Sequence, residues 1–376
     1  MTLDKIKTPA LLLDKNILQQ NLIAMQNRAD RFGVGLRPHI KTHKCIEIAK
    51  DQVKLGAKGI TVSTFYEAVI FADAGFNDIL WAFPIIPAYI DDALNLSEKI
   101  TFRVLIDSLE AFEDLETKCL KRGKEIHVWL EIDCGQHRSG VNPKLNSAEE
   151  LATILVESKY LIFDGILTHA GHSYLAKTRD EIKNIAEQER LVMVEFVERM
   201  KKKSIEIPAV SIGSTPTISV SENFDGVTEI RPGNYVFYDY TQLLLGNCKL
   251  DNCALTVLSS VISHQPEADY FIIDSGALAL SKDAGPIHLQ NDYSYGIIFE
   301  DYKAKIINEQ LKIKSLTQEH GKVVADRIIA IKEKYRVSSK VRILENHSCL
   351  TAAMFDEYKV VSNNEVVEKW KILRGR

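Results

Sequence analysis

The sequence has few of the features that mark secreted, membrane-bound or nucleic-acid-binding proteins. Its six cysteines are spread along the chain without a Cys-x-x-Cys pair, which favours reduced thiols over a disulfide framework. The first residues lack the apolar core of a signal peptide, and no apolar run approaches the length needed to cross a bilayer. A net charge of -4 provides no basic surface for nucleic acid. We therefore expect a cytoplasmic protein whose partners include neither a membrane nor a nucleic acid.

The first two thirds of the chain alternate short apolar runs with segments of helical periodicity. Asp14 is expected to cap a helix that continues to about Arg31. Apolar residues then recur at three- and four-residue spacing in segments such as 108–122, 147–158 and 179–203. Eight strands with intervening helices predict a (β/α)8 TIM-type barrel over residues 8–240, in which the link 214–226 is too short and polar for a full helix. The eight predicted strands are 36–40, 59–63, 79–83, 100–106, 125–132, 161–167, 209–212 and 227–230.

The remaining sequence is typical of a β-rich domain. Residues 255–263, 268–274, 297–299 and 340–344 are predicted strands, and only the segment 323–334 has a helical pattern. With 376 residues the chain is long enough for two domains. We predict a mostly β C-terminal domain over residues 241–376, joined by residues 1–7.

Lys41 is the strongest candidate for chemistry in the barrel. It directly follows the first predicted barrel strand, with His39 on the same strand face and His43 just beyond. Partial burial and nearby positive charge would lower the pKa of its amine, and a neutral amine is what Schiff-base chemistry needs. On this stretch alone, the alternative is a set of solvated residues at the mouth of a loop.

Polar side chains follow most of the other predicted barrel strands. The C-terminal ends of barrel strands share one face, where active sites lie and where the loops after strands seven and eight often bind phosphate. Those loops contain Gly213-Ser214-Thr215 and Gly233-Asn234-Tyr235, whose backbone N–H groups suit a phosphorylated cofactor. Taken singly, either glycine would more often be a turn residue than part of a phosphate site.

Taken together, these motifs resemble a known family. The chain resembles the D-serine dehydratase and D-threonine aldolase family of pyridoxal-phosphate enzymes, which have the alanine racemase type of fold, and the likeness is greatest to its D-serine dehydratases. The likeness extends over nearly the whole chain. It rests on the segments 8–10 (TPA), 37–44 (RPHIKTHK), 133–141 (DCGQHRSGV), 168–174 (THAGHSY), 213–217 (GSTPT), 231–235 (RPGNY) and 347–349 (HSC).

The resemblance implies a role for each candidate residue of the barrel. Lys41 would carry pyridoxal phosphate covalently, Arg138 would lie near the phenolic oxygen of the cofactor, and His169 would pack on its ring. The alternative for Arg138 is a salt bridge to Asp133 or Asp107, and the alternative for His169 is a satisfied histidine of the barrel core. The resemblance also implies a homodimer. The residues expected to hold the phosphate and the ring edges are Tyr174, Ser214, Thr215, Gly233, Asn234 and Tyr235.

His347 and Cys349 form a candidate metal site. They are two residues apart after a predicted strand, so an extended backbone would direct both side chains to one face. Imidazole and thiolate suit Zn²⁺, and two protein ligands leave positions open for water and substrate, as in a catalytic site. In the aldolase branch of the family an aspartate resembles Cys349 in position, so the cysteine indicates the dehydratase branch. The alternative is an unligated cysteine beside a loop histidine.

The expected activity is the elimination of water from D-serine, or from a related β-hydroxy-D-amino acid, to give pyruvate and ammonia. Lys41 would act as the base, and zinc would assist the departure of the hydroxyl group. One rival is an aldolase that cleaves D-threonine or 3-hydroxy-D-aspartate to glycine and an aldehyde. A second rival, a non-catalytic protein that only binds the cofactor, has no use for the metal pair.

Overall fold

The computed structural model describes residues 2–264, 269–290, 292–325 and 334–375. The chain divides into two compact units. The barrel unit comprises Met25–Lys41, Ile48–Gly233 and Gly375–Arg376, and the β unit comprises Met1–Ala24, Thr42–Glu47 and Asn234–Arg374. The predicted domain boundary between residues 240 and 241 stays a prediction.

The strands and helices of the two units have the following bounds, given in chain order. The strands are β1 (Ala10–Asp14), β2 (Gly35–Leu36), β3 (Ile60–Val62), β4 (Asp78–Pro84), β5 (Thr101–Ile106), β6 (Ile126–Glu131), β7 (Leu161–Leu167), β8 (Val210–Ile212), β9 (Glu229–Ile230), β10 (Leu255–His264), β11 (Tyr270–Ile273), β12 (Ile297–Asp301), β13 (Ile306–Ile307), β14 (Leu311–Leu316), β15 (Gly321–Ala325), β16 (Lys340–Leu344), β17 (Glu357–Ser362) and β18 (Glu365–Lys371). The α-helices are α1 (Lys15–Arg31), α2 (Ile46–Leu55), α3 (Phe65–Asp73), α4 (Ile90–Ser97), α5 (Leu109–Arg122), α6 (Asn146–Glu157), α7 (Arg179–Lys202), α8 (Thr215–Val220), α9 (Tyr240–Leu244), α10 (Ala277–Leu280) and α11 (Ser348–Ala352).

The barrel unit contains a parallel sheet of eight strands in the order β2-β9-β8-β7-β6-β5-β4-β3. Its two end strands are joined, since the Thr61 N–H donates to the Pro38 carbonyl at 2.9 Å and the Lys58 N–H donates to the Leu36 carbonyl at 2.8 Å. All eight predicted strands are present, and the predicted (β/α)8 fold is confirmed. The C-terminal strand ends therefore share one face of this unit, as a barrel requires.

Two barrel repeats are shorter than the others. The predicted strand 36–40 is reduced to β2 and an isolated bridge between His39 and Thr61. Pro38 accounts for this, because it has no N–H to donate to a ladder and it fixes its own φ. The link after β8 contains the six-residue helix α8, in agreement with the expectation that no full helix would fit there.

The β unit contains a ten-stranded sheet with β1 in an internal position. β1 pairs antiparallel with β10 and parallel with β17, and Leu11, Leu12 and Leu13 are completely buried. The sequence prediction grouped residues 8–14 with the barrel, because an apolar strand does not reveal its ladder partners. Asp14 caps α1 as predicted, accepting N–H hydrogen bonds from Asn16 and Ile17.

The helix predicted over residues 323–334 is wrong at its start. Residues 323–325 belong to strand β15, whose side chains alternate between buried and partly buried, and residues 326–333 lie outside the described part of the chain.

Within the described residues, no helix is long and apolar enough to cross a membrane. No disulfide joins the six cysteines, all of which lie among the described residues.

Candidate active site

Lys41 lies in a 3-10 turn, Ile40–Thr42, which is separated by three residues from the end of the short strand β2 at Leu36. Its side chain is partly buried, and its backbone N–H donates to Nδ1 of His39 at 3.4 Å. The expectation that Lys41 would share a strand face with His39 is wrong, because the chain leaves the ladder after His39 and forms a turn. The turn nevertheless keeps Lys41 at the C-terminal end of the barrel strands.

His169 follows strand β7 and lies in the positive field of three side chains. Burial, followed by the charges of Lys41, Arg138 and Arg231, holds the pKa of His169 well below its usual range. The ring is therefore neutral at physiological pH, and it hydrogen-bonds to the backbone of Gly213. The structure thus brings Lys41, Arg138 and His169 together, as predicted from the sequence.

Arg138 pairs with neither of the carboxylates considered as alternatives. Asp133 bonds to the ring of His137 at 2.6 Å, and Asp107 accepts the Gly140 N–H at 3.1 Å. The Arg138 guanidinium instead lies 3.8 Å from Glu131, and its side chain is 53% exposed. Arg138, Glu131 and His169 line the same narrow cleft of the barrel unit, and the guanidinium is partly exposed to solvent.

The loop after β8 is a tightly bonded turn. Ser214 caps α8, its hydroxyl accepting the Thr217 N–H at 3.3 Å, while the Thr217 hydroxyl accepts the Ser214 N–H at 3.0 Å. Gly213 has φ +114°, a backbone conformation that L side chains rarely adopt. Tyr174 lies in the 3-10 turn Gly171–Leu175, and the Ser173 hydroxyl of that turn is 3.0 Å from the Ser214 hydroxyl.

These barrel residues fit pyridoxal phosphate by their chemistry. A primary amine at Lys41 can bond the aldehyde carbon, and the neutral ring of His169 offers a flat face for stacking. Lys41, Arg138 and Arg231 act on His169, and the carboxylates of Glu229, Glu189 and Glu131 partly offset the charge of Arg231. The buried loops at Ser214, Thr215 and Gly233 provide close backbone approach for a phosphate.

Asn234 and Tyr235 belong to the β unit. The Asn234 side-chain amide donates to Asp239 at 2.6 Å and to the Ser348 hydroxyl at 3.0 Å, while Tyr235 is completely buried. Asp239 also accepts the Ser348 N–H at 3.0 Å and so fixes the start of α11. The predicted cofactor contacts of Asn234 and Tyr235 stay predictions.

His347 and Cys349 are brought together by a helix start and not by a strand. His347 is the N-cap of α11 and Cys349 lies in its first turn, so the predicted extended backbone is wrong while the predicted proximity is right. The imidazole donates from Nδ1 to Asp283 at 2.8 Å and hydrogen-bonds to Cys349 as well. The Thr42 hydroxyl is 3.2 Å from the Cys349 sulfur.

The charges of the pair are those of a thiolate beside a protonated imidazole, whose Nε2 proton a metal ion would displace. Burial opposes ionisation of Cys349, but the hydrogen bond from His347 and its charge outweigh burial and lower the pKa of the thiol. Burial also opposes protonation of His347, yet its bonds to Asp283 and Cys349 raise its pKa well above the usual range. A thiolate beside an imidazole that a carboxylate orients through Nδ1 is a common zinc-binding arrangement.

The described residues contain no group of three or more histidine, cysteine, aspartate or glutamate side chains placed to hold one metal ion. A metal on His347 and Cys349 would therefore have two ligands from the described chain and would keep other positions for water or substrate. Two protein ligands are fewer than the four of a structural zinc site. The pair fits a divalent ion of zinc type.

Three carboxylates that support the site were missed by the sequence analysis. Asp239 and Asp283 bind residues more than sixty positions away, so their roles have no local signature. Glu189 differs, because it lies on the apolar face of α7 formed by Ile182, Ala186, Met193 and Phe196. An acidic residue at such a position is a signal that the sequence alone provides.

Two family models match the chain in the same order as the two predicted domains. The alanine racemase N-terminal domain matches residues 13–241, and the putative serine dehydratase domain matches residues 254–361. The chain belongs to the D-serine dehydratase and D-threonine aldolase family. This membership confirms the predicted class, a lyase dependent on pyridoxal phosphate.

Individual relatives in this family cover the whole chain. D-serine dehydratase from Dictyostelium discoideum is 38% identical over 98% of this chain and 97% of its own length. D-threo-3-hydroxyaspartate dehydratase from Delftia sp. is 36% identical, covering 100% of this chain and 99% of its own length. Its solved structure superposes with a TM-score of 0.94 over 100% of both chains at 35% identity, and a cysteine-to-alanine variant of D-threo-3-hydroxyaspartate dehydratase has a structure in the metal-free form.

Proposed function

We propose that the chain eliminates water from D-serine or a related β-hydroxy-D-amino acid, forming a keto acid and ammonia. The observation that carries this proposal is the oriented His347–Cys349 pair in a chain whose barrel fits pyridoxal phosphate. The dehydratase names of the 38% and 36% identical relatives support the reaction type. The homodimer and the cytoplasmic location that we expected stay predictions.

The barrel residues would bind the cofactor and move the α-proton. Bound pyridoxal phosphate supplies an electron sink that acidifies the α-hydrogen of an amino acid joined to it. Lys41 would hold the cofactor before substrate arrives and, once released, would take the α-proton at Nζ. Ser214, Thr215 and Gly233 would bind the phosphate, and the ring of His169, whose lowered pKa makes it a weak base, would support the cofactor.

The metal pair would act on the leaving group. Hydroxide leaves poorly, and a zinc ion on His347 and Cys349 would supply a Lewis acid for the β-hydroxyl group. Asp283 would keep the proton of His347 on Nδ1, so that Nε2 presents its lone pair to the metal. The Thr42 hydroxyl would stabilise the Cys349 thiolate by its hydrogen bond.

Product analysis tests the proposed reaction. Purified protein loaded with pyridoxal phosphate and zinc is incubated with D-serine, D-threonine and 3-hydroxy-D-aspartate, with the L-isomers as controls. We expect ammonia and a keto acid in equal amounts from at least one D-substrate. Glycine together with an aldehyde would instead establish the rival aldolase, which breaks the Cα–Cβ bond with the same cofactor.

Asp283 provides a test of the metal site that does not depend on activity. Replacing Asp283 with alanine removes the acceptor that orients His347, and we expect metal affinity to fall about 10- to 100-fold. Competition with a chelator of known affinity measures the change. Asp292→Ala, which removes an exposed partner of Lys314, is the matched control and should bind metal normally. Equal metal affinity in Asp283→Ala and the unmodified protein would exclude the orienting role.

A further inference from the structure

Glu189 is a buried acid on the longest helix of the barrel unit. Helix α7 buries Ile182, Ala186, Met193, Phe196 and Met200 at three- and four-residue spacing, and Glu189 occupies a position in this apolar series. Only 1% of Glu189 is exposed. Acidic residues are almost never fully buried unless they have a partner, so its position indicates a specific role.

Two of the groups that hydrogen-bond to Glu189 are backbone amides from different barrel loops, and the Thr217 side chain is a third. Its Oε1 atom accepts the Ala170 N–H at 3.1 Å and the Gly213 N–H at 3.0 Å. Ala170 lies in the loop after β7, and Gly213 lies in the loop after β8. A single carboxyl oxygen therefore holds these two loops at a fixed separation.

Both loops contain residues that we propose as cofactor ligands. His169 immediately precedes Ala170, while Ser214 and Thr215 immediately follow Gly213. The same two loops are also linked by the hydroxyls of Ser173 and Ser214, which lie 3.0 Å apart. The residue that would stack on the ring and those that would bind the phosphate are thus fixed to the same acid through their neighbours.

Loss of the acid would affect both loops at once. Each of the two buried N–H groups would lack its Glu189 acceptor, and unsatisfied buried amides cost free energy that loop movement would relieve. Such movement would change the separation between His169 and the phosphate loop. Preorganised sites bind more tightly because the ligand does not have to order them.

We propose that Glu189 is a positioning residue that holds the β7 and β8 loops in the geometry required to bind pyridoxal phosphate. This inference rests on the proposed cofactor site in the barrel. It assigns no chemical step to Glu189, whose role is to fix the separation of groups that would contact the cofactor.

A comparison of Glu189→Ala with Glu189→Gln distinguishes the effect of the two hydrogen bonds from the effect of the rest of the side chain. Both bonds use Oε1, which a glutamine amide oxygen replaces, and burial raises the pKa of the carboxyl above its usual value. Alanine provides no acceptor. We expect Glu189→Ala to bind pyridoxal phosphate about 10- to 100-fold more weakly, and Glu189→Gln to remain within about threefold of the unmodified protein.

Cofactor titration of the apoproteins, followed by absorbance, measures the dissociation constants. Visible circular dichroism of the bound cofactor reports its orientation, and the thermal midpoint of each apoprotein reports stability. Glu195→Ala and Glu195→Gln are the controls, since Glu195 is an exposed acid on the same helix. The controls should match the unmodified protein in affinity and dichroism.

The outcomes distinguish this inference from the proposed function. If the unmodified protein does not bind pyridoxal phosphate in the barrel, the proposed function fails. If it binds normally and Glu189→Ala binds equally well with the same dichroism, the positioning role is overturned. If Glu189→Ala does not fold, Glu189→Asp is measured in the same way, because its shorter side chain reaches the two amides less well; unchanged affinity there also overturns the inference.

Discussion

Replacing Lys41 with alanine should abolish the covalent attachment of pyridoxal phosphate and reduce turnover on the order of 10⁴-fold or more, since a positioned acid–base group alone contributes about 10²- to 10⁴-fold. Lys41 is the lysine that the structure brings close to His169 and Arg138 at the C-terminal end of the barrel strands. Its loss would remove both the amine that holds the cofactor and the base for the α-proton. Non-covalent cofactor binding should persist, because the phosphate ligands remain.

Borohydride reduction followed by peptide mapping measures this directly. In the unmodified protein the reduced cofactor should be found on Lys41, and in Lys41→Ala no peptide should carry it. Lys44→Ala and Lys282→Ala are the controls, because Lys44 lies close in sequence and Lys282 is exposed beside Asp283. If the label were on Lys44 or Lys282, the assignment of Lys41 would be wrong.

The barrel could be predicted because its signal is local and repeated. Buried parallel strands are short apolar runs, and each helix between them has its own periodicity. The exception, β2, shows the limit of this reasoning. The run 36–40 is apolar enough for a strand, but Pro38 interrupts the ladder and leaves Lys41 in a turn.

The β unit was harder to predict because its strands pair across long sequence distances. β1 has a clear strand pattern, yet its partners β10 and β17 lie far along the chain. The start of the predicted helix 323–334 is a strand, in which Val323 is buried and Val324 is partly exposed. Two adjacent β-branched residues favoured a strand there, a preference that the helical spacing of the following residues obscured.

The residues of the candidate site also differ in how far the sequence could predict them. Lys41, Arg138 and His169 could be found because each follows a barrel strand and belongs to a recognisable motif. Asp283 could not, since its role depends on one hydrogen bond to a histidine 64 residues away. Glu189 lies between these cases, because its place on an apolar helix face is visible in the sequence while its two amide partners are not.

Replacing Cys349 with alanine should leave cofactor binding intact and reduce keto acid formation about a hundredfold or more. The thiolate is one of the two proposed protein ligands of the metal, and its pKa is lowered by His347, so it is prepared to bind a cation. Without it the metal would have only one of those ligands, and the β-hydroxyl would leave without a Lewis acid. Metal content, cofactor content and keto acid production are measured on the same preparation.

In Cys349→Ala, removal of the α-proton should continue while elimination of the hydroxyl group is lost. Lys41 would still take the α-proton, so Cys349→Ala in deuterium oxide should exchange the α-hydrogen of D-serine while forming little pyruvate. Chelation of the unmodified protein should have the same effect, and added zinc should reverse it. Cys248→Ala, which alters another partly buried cysteine, should retain both steps.

If chelated protein with no detectable metal formed pyruvate at the full rate, the metal would have no part in the elimination. If Cys349→Asp gained aldol cleavage, the choice of ligand at this position would decide which bond of the substrate breaks.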